Sequence, residues 1–198
     1  MRRCHRFGAL RALALGLALL GAGCSSAPKH AGPPKAQDDI CAIFAERPGW
    51  REATQAAALR WGVPVEIQMA IVWKESNFRA AVRPMRQTAL GRVPASTAYG
   101  YAQAIDGTWD WYREETGQSR ADRTEFDDAV DFVGWYVNKT VATTRIAAFD
   151  AYGQYLAYHE GHTGYRRGAW QQKTWLKEAA SKVASQASLY GRQLRRCS

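Results

Sequence analysis

The apolar run from Val63 to Trp73, "VPVEIQMAIVW", closes on Lys74-Glu75-Ser76, and it restricts the fold more than any other stretch of the chain. It has the composition of a core helix, around which the rest of a domain must pack. Pro64 stands near its start, where a missing N–H costs little. Counting by four puts Ile67, Ile71 and Glu75 on one face, so a carboxylate points the same way as buried aliphatics. Desolvation penalises the charged form, and a Glu held there keeps its proton toward neutral pH, as a general acid must. The plain alternative is a Glu at a helix end, open to solvent or paired with Lys74 or Arg79.

At 198 residues, with 46% hydrophobic and 23% charged, the chain suits one globular domain plus extras and can bury a real core. The extras are N-terminal. "MRRCHR" is a basic n-region, and "ALALGLALL" is shorter than the ~20 apolar residues of a bilayer span, so residues 1–23 read as a secretion signal. "LLGAGCSS" leads through small residues into Cys24 and resembles the lipobox of bacterial lipoproteins, in which the Cys becomes the lipidated N-terminus. Gly21 departs from that pattern, which has an aliphatic residue there. Ser25 follows the Cys where an Asp would signal inner-membrane retention, and in a Gram-negative host this points to an outer-membrane lipoprotein facing the periplasm. Residues 24–40, rich in Pro and small or polar residues, read as a lipid-anchored flexible tether, and the domain is expected over residues 41–198.

Loss of the signal removes Arg2, Arg3, Arg6 and Arg11 and takes the formal charge from +9 to +5. A basic exported protein points to an anionic polymer as partner. Nucleic acid fits poorly, because there is no basic helix, zinc spacing or RNP-like run. Cys4 lies in the signal and Cys24 is assigned to lipid, leaving Cys41 and Cys197 at the two ends of the folded region in an oxidising compartment. A disulfide between them is expected and would contribute about 4 to 5 kcal/mol by loop entropy; two free thiols are the alternative.

Helices are expected at "WREATQAAALRWG", "VEIQMAIVWKES", "AIDGTWDWYREETG", "DDAVDFVGWYVNKTVATT", "DAYGQYLAYHEG" and "WLKEAASKVASQASLYGRQL". The Pro-interrupted stretch from Arg79 to Thr97 reads as a loop, and no segment alternates convincingly as a strand. The domain is therefore mainly α.

Three short motifs occur in order: "ESNF" at residues 75–78, "GYAQ" at 100–103 and "AYHEG" at 157–161. Together they resemble the lysozyme-like lytic transglycosylases of the soluble-lytic-transglycosylase type, over most of residues 54–194. The resemblance implies a goose-lysozyme-like helical fold with a cleft for peptidoglycan, no cofactor and no metal. It also implies Glu75 as the catalytic acid and base, with Ser76 polarising the substrate's N-acetyl group. Gly100, Tyr101 and Gln103 would line the cleft, Tyr158 would help orient Glu75, and Tyr190 would complete the site from the last helix. His159 stands where the family has Asn, Tyr101-Ala102 replace Leu-Met, and the loop between the first two motifs is long.

One carboxylate suffices if the substrate's N-acetyl oxygen replaces the second carboxylate of an ordinary glycosidase. Trp73, Trp109 and Trp111 are candidate sugar platforms, although most of the aromatic residues should be core. Three rivals stand beside this reading. "HEGH" places His159, Glu160 and His162 together, but the spacing is three where a zincin needs four. A true lysozyme would set Asp106, Asp150 or Glu160 opposite Glu75. A murein-binding lipoprotein without activity is the third, and any envelope complex that recruits the chain is unspecified.

Overall fold

The computed structural model describes residues 32–197. In chain order the elements are α1 (Ile40–Glu46), α2 (Pro48–Trp61), α3 (Val65–Ser76), β1 (Met85–Thr88), β2 (Gly91–Pro94), α4 (Asp106–Thr116), α5 (Phe126–Thr144), α6 (Ala151–Arg166) and α7 (Thr174–Leu194). The described residues are thus mainly α, as expected, with one two-stranded sheet.

The core is built around α3. Ile67, Gln68, Met69, Ala70, Ile71 and Val72 are all buried, so a run longer than one helical turn leaves no face for water. Helices α2, α5 and α7 pack against it. Each large aliphatic there contributes about 1.5 to 3 kcal/mol by leaving water. Gln68, the polar member, donates from Nε2 to the carbonyl oxygens of Thr54 at 3.1 Å and Val63 at 2.9 Å. Those bonds hold α3 to α2 and to the turn between them.

Helices α2 and α5 approach closely because residue 134 is Gly: a Cβ there would lie 2.7 Å from the Trp61 ring. Asp131 on α5 fixes the same contact. It accepts from Trp61 Nε1 at 2.8 Å, the Tyr112 hydroxyl at 2.7 Å and Gln118 Nε2 at 3.1 Å, and pairs with Arg60 at 3.0 Å. The end of α4 is thereby tied to α2 and α5.

Two expectations are corrected. Residues 79–97 are not simply a loop: β1 and β2 pair antiparallel, with Met85 opposite Pro94 and Thr88 opposite Gly91. Neither strand buries an alternating apolar set, so the period of two by which strands are read is missing. The tether does not extend to residue 40. The Tyr190 hydroxyl donates to the Gln37 carbonyl, Gln193 Nε2 donates to the Asp38 carbonyl at 3.0 Å, and the Ile40 amide donates to Gln193 Oε1 at 3.0 Å. Asp39 then caps α1 by accepting from the amides of Cys41 and Ala42. Composition suggested a free linker, but side chains of α7, distant in sequence, anchor it. Residues 1–31, with Cys24 and the expected signal, lie outside the described residues. Among those described, no helix is long and apolar enough to cross a membrane.

Cys41 and Cys197 form a disulfide with Cα atoms 5.7 Å apart, joining α1 to the chain beyond α7 across 156 residues. Replacing both by Ser should lower the unfolding free energy by about 3 to 5 kcal/mol through regained loop entropy, read as a lower urea midpoint with little change in m.

Candidate active site

Glu75 lies in the last turn of α3, where the chain leaves the helix abruptly. Asn77 and Phe78 both adopt left-handed backbone, with φ of 49° and 57°, and Phe78 is fully buried. Such conformations cost of order 1 kcal/mol or more for residues with a Cβ, and the packing of Phe78 against Trp50 holds the turn. The carboxylate is thereby left at the floor of a cleft of about 570 Å³. Pro84, Ser96 and Ala98 line one side, Gln103 to Ile105 and Thr108 another, and Phe132, Tyr136 and Tyr158 to Gly161 the rest.

The "GYAQ" segment forms a tight turn. Gly100 has φ of +82°, and any Cβ there would overlap the Arg123 carbonyl, so only Gly fits. Gln103 Nε2 donates to the carbonyl oxygens of Val82 at 2.9 Å and Gly100 at 2.8 Å, which fixes the amide at the cleft wall. The Tyr158 hydroxyl donates to the Ala102 carbonyl at 2.6 Å and locks α6 to this turn. Gly161, at φ 71° and ψ 156°, kinks α6 in a region open essentially to Gly alone, at the point where His159, Glu160 and Gly161 enter the lining.

Burial pushes the Glu75 carboxyl from its ordinary 4.5 up to about 7. The Tyr155 hydroxyl beside it and the Lys74 ammonium pull the other way and are outweighed. Oε1 is buried and has no hydrogen-bond partner among the described residues. This group is a proton donor at neutral pH that becomes a base once it has donated. The other candidate carboxylates are occupied. Asp106 pairs with Arg123 at 2.8 Å, Asp150 caps α6 by accepting from the Gly153 amide at 3.0 Å, and Glu160 accepts from Lys173 Nζ on both oxygens, at 2.7 and 2.9 Å. The two histidines of "HEGH" face different partners: His159 meets the Trp175 ring edge-on, whereas His162 Nε2 lies 2.9 Å from Thr140 Oγ1.

The chain matches the family model of the transglycosylase SLT domain over residues 12–197. It belongs to that family. No match is found among the curated proteins. Membership brings the lysozyme-like fold and, in broad terms, a lytic transglycosylase that acts on peptidoglycan.

Within this SLT domain, Glu75, Gln103, Tyr158 and His159 share the cleft lining, and four other expected residues do not. Ser76 is buried, with Oγ donating back to the Val72 carbonyl at 3.1 Å, so it does not face a substrate. Gly100 shapes the turn instead of lining the cleft. Tyr101 packs edge-on against Trp50 and Phe126 in the core. Tyr190 is fully buried, its hydroxyl spent on Gln37. Among the platform candidates, Trp109 is buried against Tyr112 and Phe132, Trp111 packs on Trp135, and Trp73 is not among the lining residues. The aromatic walls are Phe132, Tyr136 and Tyr158. Tyr155, which the motifs do not single out, is the tyrosine beside Glu75, and the signal for it was its spacing of three from Tyr158, which puts both on one helical face.

Two measurements follow from the Glu75 shift. The kcat/KM for peptidoglycan should fall as pH rises through about 7, and Tyr155→Phe should move that limb to higher pH, because the hydroxyl favours the carboxylate. The fold should lose stability as pH rises from 4.5 to about 7, since the unfolded chain releases this proton first. Glu75→Gln removes that loss, so its stability relative to the parent should climb over the same window by at most about 3 kcal/mol in urea titrations.

Proposed function

We propose that the protein cleaves the glycosidic bond between N-acetylmuramic acid and N-acetylglucosamine with formation of a 1,6-anhydro sugar, using Glu75 as acid and then base. The observation that carries this reading is a single desolvated carboxyl in the cleft while Asp106, Asp150 and Glu160 are engaged elsewhere. Glu75 gives its proton to the leaving oxygen as the bond from C1 breaks. The substrate's N-acetyl oxygen stabilises C1 in place of a second carboxylate. The C6 hydroxyl then bonds to C1 and its proton passes to Glu75, which restores the acid without consuming water. Gln103, fixed by two backbone carbonyls, presents a polar edge to sugar, and Phe132, Tyr136 and Tyr158 offer flat faces to its C–H groups.

The N-terminal features support an exported, Cys24-lipidated protein on the outer membrane, facing murein in the periplasm. Seven residues separate Cys24 from the described chain, and these span at most about 25 Å. An anchor so short would hold the cleft near the membrane surface.

Mass spectrometry of muropeptides released from purified sacculi tests the chemistry. The parent should release products one water lighter than hydrolytic fragments. Glu75→Gln should lose about 10²- to 10⁴-fold in rate, and Glu160→Gln far less. Products with reducing ends would instead make water the acceptor, and sacculus binding without release would leave a binding protein.

A further inference from the structure

The segment that separates the first two motifs leaves the helical body as the β1–β2 hairpin. Its base is the cleft itself, since Pro84 and Ser96 line it from either side of the hairpin, and the Ala95 amide donates to the Pro84 carbonyl at 2.8 Å. The two strands pair with each other and pack on no helix to any extent. From Ser76 to Ile105 there are four arginines, Arg79, Arg83, Arg86 and Arg92, and no acidic residue. Arg83 lies over the Tyr99 ring at 4.6 Å, and Arg79 Nε donates to the Ser76 carbonyl at 3.0 Å, which settles both against the body. Arg86 and Arg92 are different. Both are exposed, one on each strand, and neither guanidinium has a hydrogen bond or ion pair among the described residues. The tip carries Leu90, 99% exposed, and Met85 at the base of β1 is 41% exposed.

An arm of this kind does not stabilise the domain it grows from. It buries almost nothing, and its two free guanidinium groups repel each other. Its makeup fits a ligand that combines carboxylates with small apolar groups and lies beside a glycan. Peptidoglycan has that ligand next to every scissile bond, because the lactyl group of N-acetylmuramic acid carries a stem peptide with free carboxylates and alanine methyls. Planar guanidinium groups match carboxylates in a forked geometry that an ammonium does not provide.

We propose that the hairpin arm binds the anionic stem peptide of the strand whose glycan lies in the cleft, through Arg86 and Arg92, so that peptide-bearing murein is preferred over bare glycan. The inference names the substrate class of the activity proposed above and rests on that reading. The arm acts on substrate capture and not on the chemical step, so its effect belongs in KM.

The test compares the purified protein with Arg86→Ala/Arg92→Ala and Arg86→Lys/Arg92→Lys on two substrates, intact sacculi and glycan strands stripped of stem peptides by an amidase. The expected result is that the Ala pair raises KM on intact sacculi about three- to tenfold with kcat unchanged, leaves stripped strands untouched, and is partly rescued by the Lys pair. The preference of the parent for sacculi should also shrink with added salt. An equal loss on both substrates, or no loss on either, would overturn the proposal; the second outcome would point the arm at a protein partner. A separate arm of the experiment uses Glu75→Gln and sedimentation with sacculi, where adding the Ala pair should weaken binding by a similar factor. If the parent releases nothing while this binding difference is present, the catalytic reading fails and the peptide site stands. If release is normal and sedimentation is unchanged by the Ala pair, the peptide site fails alone.

Discussion

The site depends on keeping one carboxyl out of water at the end of a helix that is itself out of water. An apolar helix such as α3 is stable only when enclosed, and α2, α5 and α7 enclose it. Enclosure desolvates whatever stands on its last turn, and Glu75 stands there. Leaving Oε1 buried without a partner costs about 1 to 3 kcal/mol. The aliphatic burial along α3 exceeds that several times over, so the fold can carry the strained group. Asn77 and Phe78 belong to the same arrangement, since two left-handed residues turn the chain away before it can cover the carboxyl.

The cleft walls grow out of the core without a break. Trp109, Tyr112, Phe132 and Trp135 are in mutual ring contact between α4 and α5, and the series continues through Tyr136 to Tyr158 on α6. Phe132 and Tyr136 therefore present one side to the interior and another to the cleft. Rings wedged in this way cannot turn freely, and a wall that is already ordered loses little entropy when a sugar lies on it. Asp131, one residue before Phe132, holds α2, α5 and the end of α4 in register from the opposite side.

What could be read in the sequence follows from which features are local. The buried run ending on Glu75 announces itself by composition, and helix periodicity with glycines at Gly62 and Gly117 marks α2 and α4 closely. Features that depend on distant partners were not legible. Residues 32–39 look like a linker until Tyr190 and Gln193 bind their carbonyls, and α1 begins where a tether was expected to end. The hairpin lacks alternation because both of its faces meet water. Within the motifs, position did not fix direction. Ser76 and Tyr101 adjoin residues that face the cleft, yet both turn into the core, since neighbours on a helix or in a tight turn point to different sides. Tyr190 went unplaced for the same reason, as a buried tyrosine must find an acceptor and the nearest is the Gln37 carbonyl.

The distribution of charge around the cleft separates two demands that conflict. An anionic polymer is best attracted by cations, but a cation close to Glu75 favours its carboxylate and would remove the proton that the first step needs. Lys74 is the cation that acts on Glu75, and burial outweighs it. Arg86 and Arg92 stand on an arm in solvent, where screening limits their reach to roughly 8 Å at physiological salt. Lys173 sits nearer the cleft, but both Glu160 oxygens accept from its ammonium and neutralise it. The acid is thus set by local desolvation and the attraction by remote, hydrated charge. Because desolvation acts through contact and attraction through a screened field, either can change by substitution without retuning the other.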